Sequence, residues 1–221
     1  KEAGKANKYV LVTEPAREGG KIVTARKGRL QYEIKITGRP AHAGSRHIDG
    51  RNAIKEMAHQ ILKIEALTDY ETGVSCSVGT IEGGTFTNVV PQECVITVDI
   101  RVPDMETGDE IMAIFEGLEA VDPDCSLEVT GGVDRPAYEK FDGIAKLFDQ
   151  AKEIAAEIGF DLQDMKTGGG SDGNFTGALG IPTLDGLGAD GKGAHTHDEF
   201  IYYSSLEDRA KLMLGLFEAL D

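Results

Sequence analysis

The succession of hydrophobic periods between Gly28 and Thr130 limits the possible folds more than any other property of this chain. Leu30, Tyr32, Ile34 and Ile36 alternate with Gln31, Glu33, Lys35 and Thr37, the two-residue period of a strand with one buried and one wet face. After Gly50 the spacing becomes helical through Ala53, Ile54, Met57, Ala58, Ile61, Leu62 and Ile64. Val74 to Ile81 and Cys94 to Arg101 return to period two, Phe86 to Pro91 predicts a short extended piece, Thr107 to Val121 is amphipathic, and Leu127 to Thr130 predicts a last strand. Strand, helix, strand, strand, helix, strand is the order of a ferredoxin-like unit, an antiparallel sheet with two helices on one face.

The flanks have a different character. Tyr9 to Thr13 and Ile22 to Ala25 are short apolar runs of the kind buried strands use, Gly143 to Ile158 and a segment from Ser204 or Ser205 to Leu220 predict helices, and Gly180 to Leu184 predicts a further short strand. They read as pieces of one α/β domain interrupted by the central block, with segments 1–25, 26–135 and 136–221.

A net charge of −15 argues against nucleic acid or an acidic membrane surface as partner, because phosphate binding needs clustered Lys and Arg. No apolar run reaches the roughly 20 residues of a membrane helix. Cys76, Cys94 and Cys125 lack CxxC spacing and are expected to be buried thiols of a reducing, cytoplasmic compartment.

Chemistry concentrates between Thr167 and Phe200. Ten glycines there let the backbone turn sharply and approach a ligand, and Ser171, Asp172, Asn174, His195 and Glu199 sit among them. Imidazole nitrogen and carboxylate oxygen are donors that zinc takes, so His195 with nearby acids is a candidate half-site. Four donors are usually needed, and one segment rarely supplies them all. Glu14, after the first apolar run, lies where open α/β sheets place their ligands, although a strand-end acid is an ordinary occurrence. A single-domain binding or dimerisation module for amino acids, without catalysis, is the alternative that the central block leaves open.

The segments Gly38-Arg39-Pro40-Ala41-His42-Ala43-Gly44, Asn88-Val89-Val90-Pro91, Asp99-Ile100-Arg101, Gly168-Gly169-Gly170-Ser171-Asp172 and Gly193-Ala194-His195-Thr196-His197-Asp198-Glu199 resemble, in order and spacing, the M20 metallopeptidases. The nearest look is to the carboxypeptidase G2-like glutamate carboxypeptidases and the related aminoacylases and deacylases. The resemblance implies a zinc-peptidase-like α/β catalytic domain carrying two zinc ions, with an inserted ferredoxin-like lid that forms a homodimer. It implies hydrolysis of an amide or peptide bond next to a free carboxylate, by a metal-bridged water, in a peptide or N-acyl amino acid. Tripeptidase and N-acyl amino acid deacylase activities are the alternatives within the family.

By the same resemblance Glu14 and His195 are metal ligands, His42 polarises the scissile carbonyl with Asn88 nearby, and Arg101 and Arg135 hold the substrate carboxylate. Gly169, Gly170 and Ser171 line the pocket. Family members have a further N-terminal part that supplies the remaining metal ligands and the general base, and nothing here matches it. The chain is therefore expected to be the C-terminal part of a longer enzyme and to be inactive alone. His197 matches no family ligand and is expected to be a bystander.

Overall fold

The computed structural model describes residues 6–220. The chain divides into two compact units, one of residues up to Lys27 together with Arg135 onward, the other of Gly28–Asp134.

The first unit opens with β1 (Val10–Leu11) and β2 (Ile22–Arg26). The second then holds β3 (Gly28–Thr37), α1 (Ala53–Glu65), β4 (Ser75–Gly83), β5 (Glu93–Val102), α2 (Met105–Glu116) and β6 (Ser126–Arg135). Its strands form one sheet in the order β4-β5-β3-β6, with β5 antiparallel to both β3 and β4. Ile34, Ile36, Ile96, Ile100 and the α1 residues Met57 and Ile64 are all fully buried in one core, so the alternation read from sequence translates directly into an inner face. Within it Tyr32 stacks on Phe115 with ring centroids 4.4 Å apart. Asn52 caps α1 by accepting the Lys55 N–H at 2.9 Å.

Three local expectations are corrected. The helix expected over Thr107 to Val121 starts earlier, because the Asp104 carboxylate accepts the Thr107 N–H at 2.8 Å, and it stops before Gly117. Asn88, expected in an extended piece, lies in a turn that the Val89 N–H closes onto the Phe86 carbonyl at 3.2 Å. The last strand does not break at its glycines: β6 runs through Gly131 and Gly132, at φ +141° and +143°. A β-carbon on Gly131 would meet the Gln31 carbonyl oxygen and the Tyr32 backbone, so glycine lets β6 hug β3.

The first unit resumes with α3 (Asp142–Ile158), β7 (Asp164–Thr167), the short α4 (Gly173–Gly177), β8 (Thr183–Leu184), β9 (Gly191–Lys192), β10 (Phe200–Ile201) and α5 (Ser205–Ala219). β1 runs parallel to β8, and β2 parallel to β7. Backbone bonds between Val23 and Asp185, both ways, tie these pairs together. Ile144, Leu147, Phe148, Ala151 and Ala155 give α3 a buried stripe at helical spacing, and it shares a core with Leu212 and Leu216 of α5. Gly159, at φ +110°, ends α3 in the left-handed conformation that glycine adopts freely.

All three cysteines are free and buried. Among the described residues no helix is long and apolar enough to cross a membrane.

Candidate metal and carboxylate site

In the first unit Glu14 follows β1 at its C-terminal end, exposed, with its carbonyl accepting the Gly188 N–H at 2.9 Å. The Ala16 N–H bonds the Ala189 carbonyl at 3.0 Å, so the chain runs beside Glu14 immediately before it enters the β9–β10 hairpin. His195 sits in the loop of that hairpin, exposed, at φ +66°, and its N–H bonds the Glu199 carboxylate at 3.2 Å. Among the described residues no hydrogen bond or ion pair joins the side chains of Glu14 and His195, and no group of three or more His, Cys, Asp or Glu is placed to hold a metal ion.

The glycine-rich loop is tied down from beneath by a buried network that sequence reading did not anticipate. Arg26 and Asp185, both with side chains 0% exposed, pair through Nε and Oδ2 at 2.9 Å. Arg26 Nη1 donates to the Gly169 carbonyl at 2.7 Å, and the Ser171 hydroxyl donates to Asp185. Ser171 is itself buried, and its Oγ also accepts the Gly173 N–H at 3.0 Å, so its hydroxyl faces the network. Tyr138 lies beside this pair; burial, and then the Asp185 charge, push its hydroxyl pKa far up. Gly169 is half-buried and Gly170 exposed. Arg135 places its guanidinium 4.5 Å from the centre of the Phe175 ring and 3.5 Å from Asp172.

In the second unit His42 and Asn88 are neighbours through the backbone. His42 bridges to Val89, and the Ala43 N–H bonds the Asn88 carbonyl at 2.9 Å. Both side chains are exposed. The His42 Nδ1 accepts the N–H groups of Gly44 and Ser45, each at 3.1 Å. A backbone N–H can only donate, so Nδ1 is the unprotonated nitrogen and the neutral ring carries its proton on Nε2.

Arg101, directly across from Arg29 in the β3–β5 pairing, is held by Asp99 at 2.6 Å. Arg29 reaches the same carboxylate at 2.5 Å and Asp134 at 3.3 Å. Burial is the largest single influence on Asp99 and acts to raise its pKa, but the bonds and charges of Arg101 and Arg29 together outweigh it and hold the carboxyl below its usual value. Asp164 is lowered likewise: burial opposes, while Lys140 and Thr24 prevail. A carboxyl depressed in the folded state stabilises above its unfolded pKa of about 3.9, and that contribution disappears as pH falls through the lower folded value. Denaturation midpoints are therefore expected to hold between about pH 7 and 5 and to drop below about pH 4, with Asp99→Asn making the drop shallower. Identical acid profiles for the two proteins would remove Asp99 from the account.

Residues 24–118 match the M20 peptidase dimerisation domain, here a ferredoxin-like fold. The chain is 28% identical to carboxypeptidase G2 of Pseudomonas sp. (strain RS-16) over 224 aligned residues, covering 97% of this chain and 54% of that protein. It superposes on a tripeptidase from Staphylococcus aureus with TM-score 0.81 at 25% identity, covering 96% of this chain and 57% of the other. It shares its fold, at TM-score 0.67 and 18% identity over 97% of this chain and 58% of the other, with the Bacillus subtilis YXEP protein, a dinuclear metal-binding peptidase. The chain thus spans little more than half the length of these relatives. With its own dimerisation domain and a likeness to peptidases extending through both units, the chain belongs to the M20 family of peptidases and hydrolases.

Proposed function

We propose that the chain forms part of a di-zinc hydrolase that cleaves an amide or peptide bond next to a free carboxylate, as a carboxypeptidase does. The observation that carries the chemistry is the His42 turn, whose backbone N–H groups occupy Nδ1 and leave an Nε2–H on an exposed residue. Such a donor stabilises the charge that builds on a scissile carbonyl oxygen, and the Asn88 amide is its companion. Arg101 and Arg135 hold the substrate carboxylate, for which a planar guanidinium supplies two parallel N–H bonds. The Phe175 ring, 4.5 Å from the Arg135 guanidinium, helps to hold that side chain. Gly169, Gly170 and Ser171 line the pocket.

Glu14 and His195 are donors of the kind zinc takes, but two fall short of the usual four. The set fits in kind and not in number, so the remaining donors, with the general base, come from the share of the relatives' length that this chain does not span. When bound, zinc makes water acidic enough to attack and offsets negative charge. By itself the chain is inactive. The substrates are peptides or N-acyl amino acids, the dimerisation domain makes a homodimer, and three buried free thiols support a cytoplasmic location. A tripeptidase is the second reading, favoured by the likeness to the S. aureus enzyme.

Manganese(II) added to the 15N-labelled chain tests the metal assignment without requiring activity. The amides around Glu14 and His195 are expected to broaden together, and Glu14→Gln to abolish both effects. Broadening confined to other acidic surfaces sinks the assignment. Turnover of N-acyl amino acids or short peptides by the chain alone, with zinc supplied, sinks the claim that donors are missing.

A further inference from the structure

On β6 the residues Leu127 and Val129 pack against the core of the second unit, and the two-residue period of a strand puts Gly131 next in that row. The row thus loses its side chain where it reaches Tyr32: a β-carbon on Gly131 would stand 2.9 Å from Tyr32 Cδ1. Beside this gap is a cleft of about 430 Å³, walled by Met112, Leu118, Leu127 and Val129. Tyr32 and Glu116 are the only hydroxyl- or charge-bearing side chains that line it, and no Lys, Arg or His does.

Both polar groups lack a partner. Tyr32 is only 6% exposed, and among the described residues no hydrogen bond engages its hydroxyl. Buried polar groups are nearly always bonded, so a hydroxyl left free on the wall of a cleft points to an occupant with a polar group of its own. Burial and then the charge of Glu116 raise the Tyr32 pKa, so the hydroxyl stays neutral and the carboxylate lies near it. Glu116 ends α2, is exposed, and makes no hydrogen bond or ion pair among the described residues. The last turn of α2 carries no base, so the negative end of the helix dipole adds to that carboxylate.

This combination selects the ligand by charge and by shape. A carboxylate, a helix C-terminus and a neutral hydroxyl repel an anion. A hard metal ion needs oxygen donors on every side, which four apolar walls do not supply. An ammonium on an aliphatic stem matches both halves of the cleft, because its head takes a charge-assisted bond while its stem leaves water. We propose that the cleft between α2 and β6 binds a primary ammonium group carried on a short aliphatic chain, the head at Glu116 and Tyr32 and the chain along Met112, Leu118, Leu127 and Val129. None of these residues has a role in the hydrolysis proposed above, so the two readings stand or fall separately.

The test follows the amides of the whole 15N-labelled chain near neutral pH during titration with n-pentylamine, leucinamide, leucine and 1-pentanol. Pentylamine is expected to move the Glu116, Gly131 and Gly132 amides and to bind about tenfold more tightly than 1-pentanol, the gain of a charge-assisted bond. Leucine, whose carboxylate meets no base in the cleft, should bind more weakly than leucinamide. Leucinamide binding above pentylamine identifies the amino terminus of a peptide as the ligand, and the reverse order identifies a free amine. Glu116→Gln alters an exposed side chain and is expected to bring pentylamine within about twofold of 1-pentanol. Tyr32→Phe keeps the ring that stacks on Phe115 and is expected to weaken pentylamine at least about threefold, with the remaining amide spectrum intact. Equal affinities for pentylamine and 1-pentanol, a preference that survives Glu116→Gln, an unaltered affinity in Tyr32→Phe, or shifts confined to other acidic surfaces overturns the proposal.

Discussion

Replacing Asp185 by alanine is expected to cost about 3–5 kcal/mol of folding stability, because it leaves the Arg26 charge buried and unpaired. Both side chains are fully inside the first unit, where an isolated ion is far costlier than in water. The carboxylate also accepts the Ser171 hydroxyl and, at 2.6 Å, the Gly186 N–H, so one truncation orphans three donors. Urea melts of the variant measure the loss directly. The double replacement Arg26→Met with Asp185→Leu separates charge from packing: it should recover much of the deficit, since apolar pairs of similar volume often match or exceed buried ion pairs. If Asp185→Ala melts like the unaltered protein, the network contributes nothing that water cannot replace.

Truncating His42 to alanine in an active form of the enzyme is expected to lower kcat about 100- to 1000-fold, the usual loss of one donor to a developing oxyanion, with KM little changed. The reason for the split is that the bond strengthens only as the carbonyl oxygen gains charge. In the chain as it stands the 15N spectrum of the imidazole reports the same arrangement. Nδ1 should resonate as the unprotonated nitrogen, because the Gly44 and Ser45 amides point at it. A ring protonated on Nδ1 would contradict the geometry, and an undiminished kcat would remove His42 from the chemistry.

How far the molecule can be read from its sequence depends on which force places each part. β3, α1 and β5 were legible because burial of one face imposes a period on side-chain type, as in Leu30 to Ile36. The ends of α2 differ from its apolar pattern, since a capping Asp104 and a stopping Gly117 outweigh a periodicity that continues to Val121. The paired glycines of β6 look like a turn in sequence, although at their positive φ angles the strand continues. β9 and β10, two residues each, are set by their pairing and carry no periodic signal. Candidate site residues were legible as residue types at motif spacing, whereas the surroundings of Ser171 were not. Its link to Asp185 is a contact across 14 positions, and Arg26 to Asp185 spans 159. A charged pair of that kind is invisible until the sheet brings its ends together.

The tip of the β9–β10 hairpin bends through the left-handed backbone of His195, a conformation that a β-carbon makes uncomfortable and that glycine or asparagine enters more readily. The turn would thus be no worse formed, and by ordinary steric preference better formed, without an imidazole. With His195 in the metal-binding role proposed above, shape and chemistry come apart at that single position: an engineer seeking a more robust scaffold and one seeking a working catalyst would choose different amino acids for it.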